Sequence, residues 1–110
     1  MDITFPSSYE DSRARFIRDF ELLRPQWAES HLETYPLKTD PSLSIDYARA
    51  VPRKKENLVI ITTAEHGIEG YVGSAMLKIF MDEFAPRLNP ENTGLLLVHA
   101  INPWGMKNKR

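Results

Sequence analysis

The sequence predicts an α/β fold, the N-terminal part of an open, mostly parallel sheet flanked by helices and incomplete within this chain. Three observations predict it. Leu58-Val-Ile-Ile61 with Thr62 and Thr63 is a β-branched apolar run, and Leu95 to Ile101 is a second; both read as buried strands. Between them Val72, Ala75, Met76, Ile79, Phe80 and Phe84 recur at helical spacing, which gives an amphipathic helix ended by Pro86, with Met76 and Phe80 expected in the core. Strand, helix, strand over residues 58–101 is a βαβ unit, so the two strands should be parallel, adjacent and joined by a right-handed crossover. Strands that are apolar throughout imply cover on both faces of their sheet.

The remaining elements follow in order. Residues 8–24 form a helix: Ser8 caps it, Asp11 follows three residues on, and Phe16, Ile17, Phe20 and Leu23 make one apolar face. Pro25 stops it, and Trp27 is expected to pack beneath it. Residues 28–42, with Pro36, Asp40 and Pro41, read as loop. Leu43, Ile45 and Tyr47 alternate with polar residues, giving a half-exposed strand over about 43–48. Pro52 to Asn57 is a charged turn, Asn89 to Gly94 another, and Asn102-Pro-Trp-Gly105 a sharp turn after the last strand.

The 110 residues suit one small domain, here the N-terminal portion (1–110) of a larger one. With 14 basic and 15 acidic side chains the net charge is near zero, which argues for neither nucleic acid nor membrane as a partner. The basic runs Arg53-Lys54-Lys55 and Lys107 to Arg110 read as solvated loops. There is no cysteine, so disulfides and thiolate metal sites are excluded, and any metal must be held by nitrogen and oxygen. The first residues, Met-Asp-Ile-Thr-Phe-Pro, lack the basic and apolar regions of a signal peptide; a cytoplasmic location is the default expectation.

The chemistry concentrates in Ala64-Glu-His-Gly-Ile-Glu-Gly-Tyr-Val-Gly-Ser74. In open α/β sheets ligands bind beyond the carboxyl ends of strands, which is where His66 and Glu69 fall, with Asn102 and Trp104 after the neighbouring parallel strand. Imidazole nitrogen and carboxylate are suitable zinc ligands, and glycines at 67, 70 and 73 allow a sharp turn and close approach. A lone H-x-x-E is also compatible with a tight turn holding a structural histidine. Glu65 is an alternative carboxylate, His99 within the second strand reads as a core histidine, and His31 as a surface one. Ser74 lies in Gly-Ser-Ala rather than a G-x-S-x-G elbow, which disfavours a serine hydrolase.

Thr62-Thr-Ala-Glu-His-Gly-Ile-Glu-Gly-Tyr-Val-Gly-Ser-Ala75, followed by Leu95-Leu-Leu-Val-His-Ala-Ile-Asn-Pro-Trp-Gly105, resembles the metallocarboxypeptidase-like proteins of the M14 type, and within them the DUF2817 group. That group carries a His-Gly-x-Glu-Gly-x-x-Gly-Ser stretch and a later V-H-A-x-N-P-x-G stretch. Tyr9 to Phe16 resembles its N-terminal region, so the likeness spans essentially the whole chain. The resemblance implies a zinc carboxypeptidase-like fold and one Zn2+, with His66 and Glu69 as its first two ligands. It implies that Asn102 and Trp104 help to wall the same cleft, and that a basic residue after the turn, here Arg110, polarises the scissile carbonyl. The third zinc ligand, a substrate-binding Asn-Arg pair and a glutamate general base of the family pattern have no match in these residues.

The resulting expectation is an N-terminal fragment of a zinc-dependent hydrolase that cleaves a peptide or related amide bond with a zinc-activated water. The 110 residues alone are expected to be inactive. The alternatives are a zinc-dependent deacylase or amidase acting on a small N-acyl substrate, and a truncated, non-catalytic α/β remnant or interaction module.

Overall fold

A computed structural model describes residues 5–110 of the chain. Met1 to Thr4, part of the stretch read above for a signal segment, lie outside the described residues. The element order is α1 (Tyr9–Leu23), β1 (Glu29–Pro36), β2 (Ser44–Val51), β3 (Asn57–Thr62), α2 (Gly70–Ile79), β4 (Thr93–His99) and α3 (Pro103–Lys107).

The first helix starts as its residues dictate. Ser8 is extended, and its side chain accepts from the Asp11 N–H, while Glu10 and Asp11 place negative charge in the first turn. Phe16, Phe20 and Leu23 are buried along one face, and Trp27 beyond the helix is 4% exposed with its indole N–H donating to the Thr93 carbonyl.

The four strands form one sheet in the order β1-β2-β4-β3. β3 and β4 are parallel and joined through α2, the βαβ unit read from the sequence. The expectation of a mostly parallel sheet is corrected: β1–β2 and β2–β4 are antiparallel, so the sheet is mixed. The correction comes from residues 28–42. Glu29–Pro36 is a strand, not loop, because its polar residues belong to an edge strand that needs only one partner, with Glu29 paired to Val51 and Pro36 to Ser44. The strand expected at 43–48 runs Ser44–Val51 and sits between two neighbours, which explains why Asp46, Ala48 and Ala50 are buried.

Among the described residues the helices α1 and α2 cover one face of the sheet. Phe16, Phe20 and Leu23 of α1 meet Leu77 of α2 and the following Met81 and Ala85 over Ala48, Ala50, Leu95 and Leu97. The strand pairings place Val59 and Ile61 of β3 on that side and Leu58 and Ile60 on the other. Leu58 and Ile60 are 60% and 57% exposed, so β3 is not the buried strand its composition suggests.

α2 carries apolar residues around much of its circumference, and the face that packs differs from the one expected. Ala75 and Leu77 are buried, whereas Met76, assigned to the core from spacing, is 62% exposed; Phe80 is half-buried against the core. After Ile79 the helix widens into a π turn over Phe80–Phe84, with the Ala85 N–H bonding back to the Phe80 carbonyl. The extra residue rotates Met81 and Ala85 toward the core and leaves Phe84 outside. Among the described residues, no helix is long and apolar enough to cross a membrane.

A second core joins α1 to the strand ends. Tyr9, Leu43, Ala64, Ala100 and Met106 are buried together. The Tyr9 hydroxyl donates to the Ser44 carbonyl at 3.0 Å and accepts from the Ser44 N–H at 2.8 Å. Beside it Asp46, fully buried, is held by Arg13 at 2.8 and 3.1 Å, by Thr34 and by Ser44. Burial opposes ionisation of Asp46, yet these donors hold its carboxyl below the ordinary range.

Candidate functional site

Both parallel strands leave the sheet through an alanine with left-handed backbone, Ala64 at φ 54° and Ala100 at φ 59°. The two exits are stitched together. The Ile101 N–H donates to the Thr63 carbonyl and the Asn102 N–H to the Ala64 carbonyl. The Thr63 hydroxyl donates to the Val98 carbonyl while its oxygen accepts from the Ala100 N–H. The loop after β3 is therefore a fixed shape set against the loop after β4.

On that base stands the His66–Glu69 turn. Gly67 has φ +144°, a conformation that a side chain rarely adopts, and a Cβ there would lie 2.7 Å from the Gly105 carbonyl carbon. Gly105 in turn leaves no room for a side chain, since its Cβ would lie 2.8 Å from the His66 carbonyl oxygen. Asn102 caps α3 by accepting from the Gly105 N–H, and its Nδ2 donates to the His66 carbonyl at 2.7 Å. Arg110 closes the arrangement through its main chain: its N–H donates to the Gly105 carbonyl and its carbonyl accepts from the Ile68 N–H.

The turn is also braced from within. One Glu69 carboxylate oxygen accepts from the His66 N–H at 2.6 Å, and both accept from the Gly67 N–H at 3.1–3.2 Å. The His66 amide, aided by that of Gly67, lowers the carboxyl's proton affinity below the ordinary range, so Glu69 is an anion at neutral pH. His66 Nδ1 lies 3.9 Å from Glu69 Oε1, and the imidazole is 89% exposed. A cleft of about 430 Å³ opens beside them, lined by Thr62, Glu65, Val72 and Met76 among others. A hollow of similar size, about 410 Å³, lies at the opposite end of β3 and β4, away from the strand ends where α/β sheets bind ligands.

The structure thus brings His66, Glu69 and Asn102 together. Asn102 stands behind the turn as its support. Trp104 is half exposed on α3, and neither residue lines the cleft beside His66. The side chain of Arg110 is exposed while its backbone holds Ile68. The latch formed by Ile68, Gly105 and the Arg110 main chain is absent from the reading of the sequence, since main-chain bonds leave no residue-type signal. His99 is buried as expected, and His31 lies on β1 beside Glu29, at 2.8 Å.

The residues present fit two positions of a zinc site. A tetrahedral ion with bonds of ~2.1 Å spaces two ligand atoms about 3.4 Å apart, so 3.9 Å is close, and the exposed imidazole is free to turn. A carboxylate offers about four lone-pair positions, so the amide bonds to Glu69 leave capacity for a cation. Among the described residues no group of three or more His, Cys, Asp or Glu converges as a metal site.

Fold and site together define a mixed α/β protein with an exposed His–Glu pair on a rigid turn at the carboxyl edge of its parallel strands. The chain belongs to the family described as "Protein of unknown function (DUF2817)", whose pattern matches residues 5–110. No curated protein and no solved structure matches it.

Proposed function

We propose that the chain supplies the first part of a zinc-dependent hydrolase site of the M14 carboxypeptidase-like type, acting on a peptide or related amide bond. His66 and Glu69 would hold the ion. A zinc ion in such a site lowers the pKa of its bound water and polarises a carbonyl. The remaining roles belong to the chain. Gly67 and Asn102 fix the turn so that both side chains project from one rigid loop. The backbone amides of His66 and Gly67 keep Glu69 ionised. Arg110, tied to the same loop by its main chain, carries a cation suited to a developing oxyanion.

The observation that supports this reading above others is the His66–Glu69 pair itself, 3.9 Å apart at the carboxyl end of β3 and backed by a latch from the loop after β4. The engagement of Glu69 with two backbone amides favours a second reading, in which the glutamate only braces the turn.

Zinc titration followed by NMR of the three histidine rings separates the two. The metal reading expects the His66 resonances to respond first, and expects Glu69→Gln to weaken that response with the loop's amide shifts otherwise kept. If His31 responds at the same concentration as His66, or if Glu69→Gln leaves the His66 response unchanged, the bracing reading stands. With two candidate ligands, His66 and Glu69, among the described residues, the affinity should be low, and hydrolysis of peptide or N-acyl amide substrates by these 110 residues is expected to be absent.

A further inference from the structure

α2 enters the protein on small residues. Gly70, Ser74 and Ala75 are buried, and a Cβ at Gly73 would lie 2.9 Å from the Thr63 side chain. The first large buried side chain of the helix is Leu77, about two turns beyond Glu69. Small side chains interlock weakly, so packing alone holds the start of α2 less firmly than its middle. A buried polar chain meets the helix at this point. Ser74 Oγ accepts from the Ser12 hydroxyl at 2.8 Å, and the Ser12 oxygen lies 2.7 Å from His99 Nε2. Ser12 gives its proton to Ser74, so its oxygen accepts from the imidazole, and donation runs from His99 to Ser12 to Ser74. Arg15 also donates to Ser74, at 3.2 Å. Ser12 belongs to α1, which Arg13 ties to Asp46 and Tyr9 ties to Ser44 on β2. His99 is the last residue of β4, directly before Ala100 and the loop that carries Asn102 and Gly105.

Such a chain adds little net stability. His99 even leaves Nδ1 buried without a partner among the described residues, a cost that an apolar ring between Tyr9 and Phe16 would avoid. What the imidazole supplies in return is the Nε2–H. Hydrogen bonds of 2.7 and 2.8 Å fix both direction and distance, which small side chains do not. We propose that His99, Ser12 and Ser74 are positioning residues of the His66–Glu69 turn: their hydrogen-bonded chain fixes the start of α2, which Glu69 caps, against the end of β4, which leads into the latch. The Gly73 N–H donates to the Glu69 carbonyl, so any displacement at Ser74 passes to Glu69 through its neighbour in the chain. The consequence for metal rests on the reading of His66 and Glu69 as ligands, whereas the placement of the turn is measurable without metal.

The test is native-state hydrogen exchange by NMR on the full chain, with the amides of the β2–β4 ladder as the reference for global opening. Ser74→Ala removes the acceptor at the end of the chain. It should speed exchange of the latch amides of Ile68, Ile101 and Asn102 about tenfold more than that of the ladder. Leu77→Val trims the core under the same helix and should speed latch and ladder together. At position 99 the conservative variant separates position from packing: His99→Gln keeps a donor for Ser12 and should leave the latch protected, while His99→Leu should loosen it as Ser74→Ala does. If Ser74→Ala fails to fold, the pair at position 99 decides alone. The proposal is overturned if latch amides in Ser74→Ala change only in step with the ladder, if Leu77→Val loosens the latch selectively to the same degree, or if His99→Gln and His99→Leu behave alike. Zinc has no part in this readout, so a parent chain that binds no zinc would sink the ligand reading and leave the positioning result standing.

Discussion

Acidification should weaken this protein well before its carboxylates are exhausted, and His99 is the reason. Its ring lies between Tyr9 and Phe16, with centroids 5.8 and 5.5 Å away, and the residue is 1% exposed. Nε2 is 2.7 Å from the Ser12 hydroxyl oxygen, and that hydroxyl donates to Ser74 at 2.8 Å. The network therefore assigns the proton to Nε2 and leaves Nδ1 buried with no partner among the described residues. A second proton would have no acceptor there. Burial is the main cause that pushes His99 down from 6.5 to about 4; Asp46 favours the charged ring and Arg13 opposes it. The sign follows. Between these pH values the unfolded chain binds a proton that the folded chain refuses, so stability is full above 6.5 and falls as pH drops toward 4. The limiting slope is about 1.4 kcal/mol per pH unit and the total about 3 kcal/mol. Asp46 acts in a separate window, because the stability its depressed carboxyl contributes is lost only as pH falls below the ordinary aspartate value of 3.8.

The assay is urea unfolding at intervals from pH 7 to pH 4, run on the parent and on His99→Gln. Glutamine can still bond to Ser12 but does not titrate in this range, so the variant's stability should change less with pH by about 3 kcal/mol across the window. The absolute stability of the variant is immaterial, since only the slope is compared. Equal slopes for parent and variant, or a His99 ring that titrates by NMR near 6.5, would refute the reasoning.

Two further outcomes follow from the geometry. Gly67→Ala should cost about 2–4 kcal/mol in denaturant unfolding, because it meets both a positive φ and the Gly105 backbone at 2.7 Å; a cost under ~1 kcal/mol would mean that the latch relaxes freely. Arg13→Met should destabilise by about 3 kcal/mol at neutral pH by leaving the buried Asp46 carboxylate short of its cation, and Asp46→Asn in that background should recover part of the loss; no recovery would show that Arg13 acts by packing alone.

The legible parts of the fold were those where one physical requirement dominates. α1 declares itself through Ser8, an apolar stripe and Pro25, and the βαβ unit through two apolar runs around a helical period. The turn at 64–70 could be placed because strand ends in α/β sheets are where ligands bind. β1 was not legible: an edge strand buries little, so Glu29, His31 and Glu33 leave the composition of a loop. Burial of β3 was overread for the opposite reason, because apolar residues on an uncovered face look the same in sequence as those in a core. Met76 was misplaced because a helix apolar on most sides gives no preferred direction, and the π turn after Ile79 breaks the period used to find one. The bracing of Glu69 and the latch from Arg110 reside in backbone bonds, which periodicity and residue type do not encode.

The latch has a consequence for the order of events during synthesis. The His66 turn is held by Asn102, Gly105 and Arg110, so its supports are translated after it. At about 5–20 residues per second the ribosome takes roughly 2–9 s to pass from codon 66 to codon 110. For most of that interval, until β4 (Thr93–His99) is translated, the histidine and glutamate are tethered to a strand whose parallel neighbour has yet to be made. The nascent chain therefore cannot present them in their final geometry, and the His66–Glu69 pair takes up its arrangement only with the arrival of the second loop.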